Sequence, residues 1–182
     1  TDPMIIYAGS AGGGVWKSND AGTTFYPIFD DHCQSIGALE IDPNDPDNTI
    51  YVGTGEPWPR NSVSTGDGLY KSTDGGNNWD KIGLENSERI ANIIVNPENS
   101  NEVYVAVLGA LWSDNIERGV YKSFDGVNSR ALIFQKYLLS DNVENKIIYL
   151  DLLKDLFKKD NISNIFTKFM SDELKKLMSN DI

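Results

Sequence analysis

From Ile5 to Tyr137 the apolar and β-branched residues come in runs of about five, broken by clusters of Gly, Pro, Asn and Asp, as in Ile5-Ile6-Tyr7-Ala8-Gly9 and Ile50-Tyr51-Val52-Gly53. Runs of that length between turn residues predict short strands. In the middle of the region the pattern predicts four of them, at 35–41, 49–53, 68–72 and 78–82. A preceding unit opens at Ile5 in phase with the second of these strands, so its innermost strand is absent, and a following unit runs from Ile90 to about Tyr137. Beyond that point the period changes. Leu150, Leu153, Leu156 and Phe157 recur at helical spacing with Lys or Asp between them, which predicts helices over 145–159, 162–169 and 172–178. Asn161 and Ser171 stand where N-caps are needed, and Asp172 and Glu173 suit the positive end of the last helix dipole.

The strand-rich region is internally repetitive. GVWKSNDAGTTF, GLYKSTDGGNNW and GVYKSFDGVNSR align, with their serines at Ser18, Ser72 and Ser123 spaced by 54 and 51 residues. IDPNDPDNTIYVGT and VNPENSNEVYVAV repeat in the same phase, with Pro43 and Pro97 again 54 apart. A period near 50 with four strands per unit suits one propeller blade per repeat. The shared motif, Ser-x-Asp-x-Gly-x-x-Trp, is complete in Ser72, Asp74, Gly76 and Trp79. The first copy keeps Ser18, Asp20 and Gly22 but has Phe25 for Trp, and the third keeps Ser123 and Asp125 but has Val127 and Arg130 at the last two positions. Such a motif is a hairpin turn: the carboxylate accepts backbone N–H bonds across it, Gly supplies positive φ and the aromatic packs beneath.

This motif is the Asp-box, and residues 5–126 resemble bacterial BNR-repeat proteins related to the sortilin propeller, above all in GTGEPWPRNSVSTGDGLYKSTDGGNNW and ALGALWSDNIERGVYKSFDG. The resemblance implies a propeller used mainly for binding, often in exported proteins, with the boxes structural. Similar boxes occur in sialidases and xyloglucan-cleaving hydrolases. The expected architecture is mainly β: a partial β-propeller of two to three four-stranded antiparallel blades over 1–137, followed by an α-helical tail over 138–182 that the resemblance does not reach. Too few blades are present to close a propeller, which exposes blade edges to self-association or to cover by the tail.

Composition sharpens this division. All 16 Gly, all 7 Pro and all 4 Trp lie between Pro3 and Gly126, and 8 Lys+Arg stand against 19 Asp+Glu up to Arg130, so the whole net charge of −11 sits there. A nucleic acid would be repelled. Apolar stretches of a few residues are far shorter than a membrane span needs, Cys33 has no disulfide partner, and one histidine, His32, excludes a multi-histidine metal centre. No metal or cofactor is expected.

In an up-and-down blade successive connections alternate between two faces. The Pro43 and Asp74 turns share one, which leaves the other to Asp30-Asp31-His32-Cys33 and the loops 55–67 and 108–118. Those loops supply Glu56, Trp58, Arg60, Asp67, Trp112, Glu117 and Arg118, a mixture of aromatic, carboxylate and guanidinium groups suited to a sugar or a peptide. The expected function is binding of a glycan, peptide or protein without chemistry, through Glu56, Trp58, Arg60, Trp112, Glu117 and Arg118. The competing reading is a glycoside hydrolase fragment with Glu56 and Asp67 as its acid pair. Sialidase chemistry is disfavoured, because the arginines fit no cluster motif.

Overall fold

The computed structural model describes residues 2–123 and 125–127 together with the backbone of one further strand, Ile133–Phe134. The expected helical tail lies outside the described residues. Among those residues there is no helix, and the strands form three antiparallel sheets, each laid down in chain order. The first holds β1 (Ile6–Gly9), β2 (Val15–Ser18) and β3 (Tyr26–Pro27). The second holds β4 (Ile36–Ile41), β5 (Ile50–Thr54), β6 (Leu69–Ser72) and β7 (Asp80–Gly83). The third holds β8 (Ile90–Asn96), β9 (Asn99–Val107), β10 (Gly119–Ser123) and β11 (Ile133–Phe134).

The predicted strands of the middle sheet are present, with one shift. The last begins at Asp80, not at Asn78, because the amides of Asn77 and Asn78 are bonded to the Asp74 carboxylate and cannot enter the ladder. Both inner strands, β4 and β8, carry an irregularity at the same place, after Ile36 and after Ile90. An extra residue there bends the strand and re-aims its side chains.

Each sheet buries its apolar side chains against the next. Val15 and Phe29 pack with Ile36, Val52 and Tyr70, joined by Ile28, Leu39 and Trp79. Trp79 reaches back to the first sheet, donating Nε1–H to Ile28 O at 2.8 Å and meeting Phe29 edge-on at 5.1 Å. Its counterpart Phe25 is exposed. Two glycines permit the close approach of the sheets: a Cβ on Gly9 would lie 2.8 Å from Ile36 Cγ2, and one on Gly53 would lie 2.4 Å from Ile90 Cγ2.

The three boxes share one geometry. Ser72 Oγ donates to Asp74 Oδ1 at 2.9 Å and accepts the amides of Asp74 and Gly76, and the Ser18 and Ser123 hydroxyls do the same in their own turns. Two successive residues in each turn are left-handed: Ala21 and Gly22, Gly75 and Gly76, Gly126 and Val127. Val127 at φ 57 takes the position that Gly22 and Gly76 fill elsewhere, so the third box keeps its form despite its divergent sequence.

Carboxylates held in this way make the fold acid-sensitive. The hydroxyl and amide of Thr24, then Ser18, hold Asp20 down to about 2 from an ordinary 3.8. The side chain and amide of Asn78 hold Asp74 low as well. A carboxyl depressed in the folded state contributes stability above its unfolded value and loses it as pH falls through the folded one. For Asp20 that window runs from 3.8 to about 2. Asp20→Asn is therefore expected to lower stability at neutral pH and to flatten the acid limb of a urea-unfolding profile, whereas an unaltered acid slope would contradict this role.

A second contact repeats between sheets. Tyr7 Oη and Lys17 Nζ, from β1 and β2, both donate to Gly75 O in the box of the second sheet, at 3.3 and 2.9 Å. Tyr51 Oη and Lys71 Nζ, from β5 and β6, both donate to Gly126 O in the box of the third, at 2.9 and 2.8 Å. In each pair the ammonium also lies over the tyrosine ring, at 5.2 and 5.4 Å.

Candidate functional site

The connections divide between two faces as the alternation of strands requires. On one, the Ser-x-Asp turns and the proline turns interlock: Gly75 N donates to Asn48 O, Ser100 Oγ to Asp42 Oδ1, and Gly126 N to Asn101 O. Backbone and side chain are consumed there by the turns themselves. On the other, the loops 55–67, 84–89 and 108–118 lie together.

That second face is built on backbone packed against backbone. Gly55 N donates to Ser35 O, Glu56 N to Ser64 O and Gly66 N to Glu88 O. Leu84 and Glu88 adopt left-handed φ of 58 and 54 to make the connection between sheets. Arg89, buried, donates Nε–H to Gly109 O at 2.7 Å and ties this connection to the loop 108–118. The sequence reading missed Arg89, whose role depends on a carbonyl 20 residues away.

Between these loops lies an open cleft of about 390 Å³, lined among others by Arg60, Thr65, Glu88, Arg89 and Trp112. Trp58 and Trp112 are 80 % and 90 % exposed, so neither is a core residue of its loop. Large aromatic side chains left this open stand out on a soluble surface, where they usually find partners.

The charged candidates are more constrained. Glu56 is buried and ion-paired with Arg60, whose Nε and Nη2 donate to its two oxygens, the latter at 3.0 Å. That hydrogen-bonded pairing holds the Glu56 carboxyl below the usual range and the Arg60 guanidinium above it. Asp67 accepts from Lys81 Nζ and Tyr70 Oη, each at 2.7 Å, and from Thr54 Oγ1 at 3.3 Å. Burial pushes Asp67 up, but the Lys81 and Tyr70 bonds outweigh it and the carboxyl lies below its ordinary value. Both of the carboxylates named as an acid pair are thus held ionised.

Glu117 and Arg118 serve the loop itself and are not paired with each other among the described residues. Arg118 donates to Leu108 O, Ala110 O and Ser113 O, at 2.7, 2.6 and 3.1 Å, and so curls the loop around its guanidinium. Glu117 accepts Asn86 N at 3.1 Å; burial raises its carboxyl above the usual range. His32 packs at a tilt against Phe29, at 4.6 Å between ring centres, and against Tyr70, at 5.1 Å, which makes it part of the packing between the first two sheets. Among the described residues no group of His, Cys, Asp or Glu side chains is arranged to hold a metal ion.

No protein-family pattern matches this sequence, and no curated protein matches it. Among solved structures it is similar to an ancestral GH74 enzyme, at 23 % identity and a TM-score of 0.57, over 74 % of this chain and 17 % of that one. It is also similar to the GH74 enzyme of Niastella koreensis, at 25 % identity and a TM-score of 0.54, over 73 % of this chain and 20 % of that one. The chain spans about a fifth of the length of these enzymes or less. The GH74 enzymes are β-propellers, and the three successive antiparallel sheets are propeller-like in the same sense.

Proposed function

We propose that this chain is a carbohydrate-binding propeller segment that holds a glycan chain across the loops 55–67 and 108–118 and performs no chemistry of its own. The observation that carries this reading is the pair of open indoles, Trp58 and Trp112, on the two loops that flank the cleft. A sugar ring presents an apolar face of C–H groups to an indole and hydroxyls at its rim, so an aromatic platform beside polar groups suits it. Arg60, held in place by buried Glu56, and Thr65 supply hydrogen-bonding groups at that rim. Structural likeness to GH74 glycoside hydrolases favours carbohydrate over peptide as the ligand class.

Hydrolysis through Glu56 and Asp67 is the weaker reading. A general acid must keep its proton near neutrality, and that requires a carboxyl raised by its surroundings. Arg60 and Lys81 act on these two in the opposite direction.

A glycan-array screen paired with a reducing-sugar release assay tests both readings. Capture without release is expected. Trp112→Ala is expected to weaken binding by about tenfold or more, the loss of roughly 1.4 kcal/mol, without lowering the melting temperature. Undiminished binding in a Trp58→Ala/Trp112→Ala variant would overturn the proposal, and release of sugar abolished by Glu56→Gln would establish the hydrolytic alternative.

A further inference from the structure

Arg89 carries more donors than the loops it ties together use. It is only 5 % exposed. Its amide donates to Ser87 O, its carbonyl accepts Leu108 N, and its Nε–H is spent on Gly109 O. The N–H groups on Nη1 and Nη2 remain, and no described residue accepts from them. No carboxylate meets this guanidinium either, since the ion pairs among the described residues belong to Arg60, Lys81 and Lys122. Neither Nη is sealed off. Among the described residues the enclosed side-chain atom left without a partner is Ser87 Oγ, so the Nη atoms keep an open surface, and Arg89 lines the cleft.

A guanidinium this buried costs free energy unless acceptors or a counter-charge meet it. Tying the loop 108–118 to the preceding connection takes one neutral donor and no charge, so that tie leaves the charge of Arg89 without a use.

We infer, on the reading that this cleft holds a glycan, that Arg89 receives a carboxylate and that the glycan carries a uronic acid residue at that point. With Nε engaged, Nη1 and Nη2 present their end-on edge, whose two parallel N–H groups match the two oxygens of a carboxylate. Trp112, on the wall of the same cleft, gives the sugar ring a face to lie on, and Glu88, which lines the cleft as well, is placed to accept ring hydroxyls. The net charge of −11 restricts the ligand further. A densely charged polymer would be repelled, so the carboxylates stand singly along a mostly neutral chain.

The test is an array of oligosaccharides that each carry one glucuronic or galacturonic acid, printed beside counterparts in which that carboxyl is reduced to the alcohol. The intact chain is expected to bind its best acidic member at least about tenfold more tightly than the reduced counterpart, an advantage that shrinks as salt is added. Arg89→Gln should abolish the advantage, and Trp112→Ala should weaken both members of the pair while leaving their ratio unchanged. Equal affinity of the native chain for acidic and reduced members would overturn the carboxylate subsite and leave carbohydrate binding standing, and this comparison needs no variant to fold. Capture of no glycan at all would overturn both readings. A folded Arg89→Gln or Arg89→Lys protein that kept the full preference for the acid would remove Arg89 from the role.

Discussion

Gly55→Ala is expected to cost about 4 kcal/mol or more, enough to unfold a domain of ordinary stability. Gly55 has φ +92, which an L side chain rarely adopts, and a Cβ there would stand 1.9 Å from Glu88 O and 2.8 Å from Arg89 Cα. Those are backbone atoms, so no rotamer change relieves the clash. The connection between the second and third sheets must move instead, and it carries Glu88 and Arg89 on the wall of the cleft. Gly12→Ala is the matched control, since a Cβ at that position meets nothing within 4 Å, and it should change stability by no more than about 0.5 kcal/mol. Urea unfolding followed by circular dichroism measures both. Comparable midpoints for the two variants would show that the connection yields easily and that the close approach is not what fixes it.

Asp74→Ala should destabilise the chain by about 1–3 kcal/mol, the usual cost of leaving turn donors without an acceptor. Its carboxylate takes the amides of Asn77 and Asn78, the Asn78 side chain and the Ser72 hydroxyl. Loss of the turn also displaces Gly75 O, on which Tyr7 and Lys17 of the first sheet converge. Carbohydrate capture should persist in the folded fraction, because the box lies on the face opposite the cleft. A fully folded Asp74→Ala protein that had lost its ligand would mean that the box touches the ligand directly.

What the sequence makes legible here is what is local. The Ser-x-Asp-x-Gly turn closes within a few residues, so Ser72, Asp74 and Gly76 can be read as a turn before any sheet is known, and the alternation of connections then assigns the loops to their faces. The roles of Asp67 and Glu117 are not local. Asp67 is fixed by Lys81, 14 residues away, and Glu117 by Asn86, 31 residues away, so from the sequence they read as candidate ligand contacts when their bonds go to the protein. The grip of Tyr51 and Lys71 on Gly126 O also spans distant residues, yet a signal for it exists. Tyr7, Tyr51 and Tyr104 repeat in phase with Lys17, Lys71 and Lys122, and polar groups that recur on otherwise apolar strands need partners. Val127 shows the opposite limit. Its β-branched side chain argues against a left-handed turn, but the Ser123 hydroxyl and the Asn101 carbonyl impose one.

The placement of donors and acceptor within a single repeat bears on how such a chain can lengthen. In the first two units a tyrosine and a lysine reach the turn carbonyl of the unit that follows. Duplication of one whole unit therefore supplies a finished interface on both sides, with no compensating substitution. Insertion of part of a unit would instead set a donor pair against a strand, so growth by whole repeats is the route that keeps every intermediate foldable.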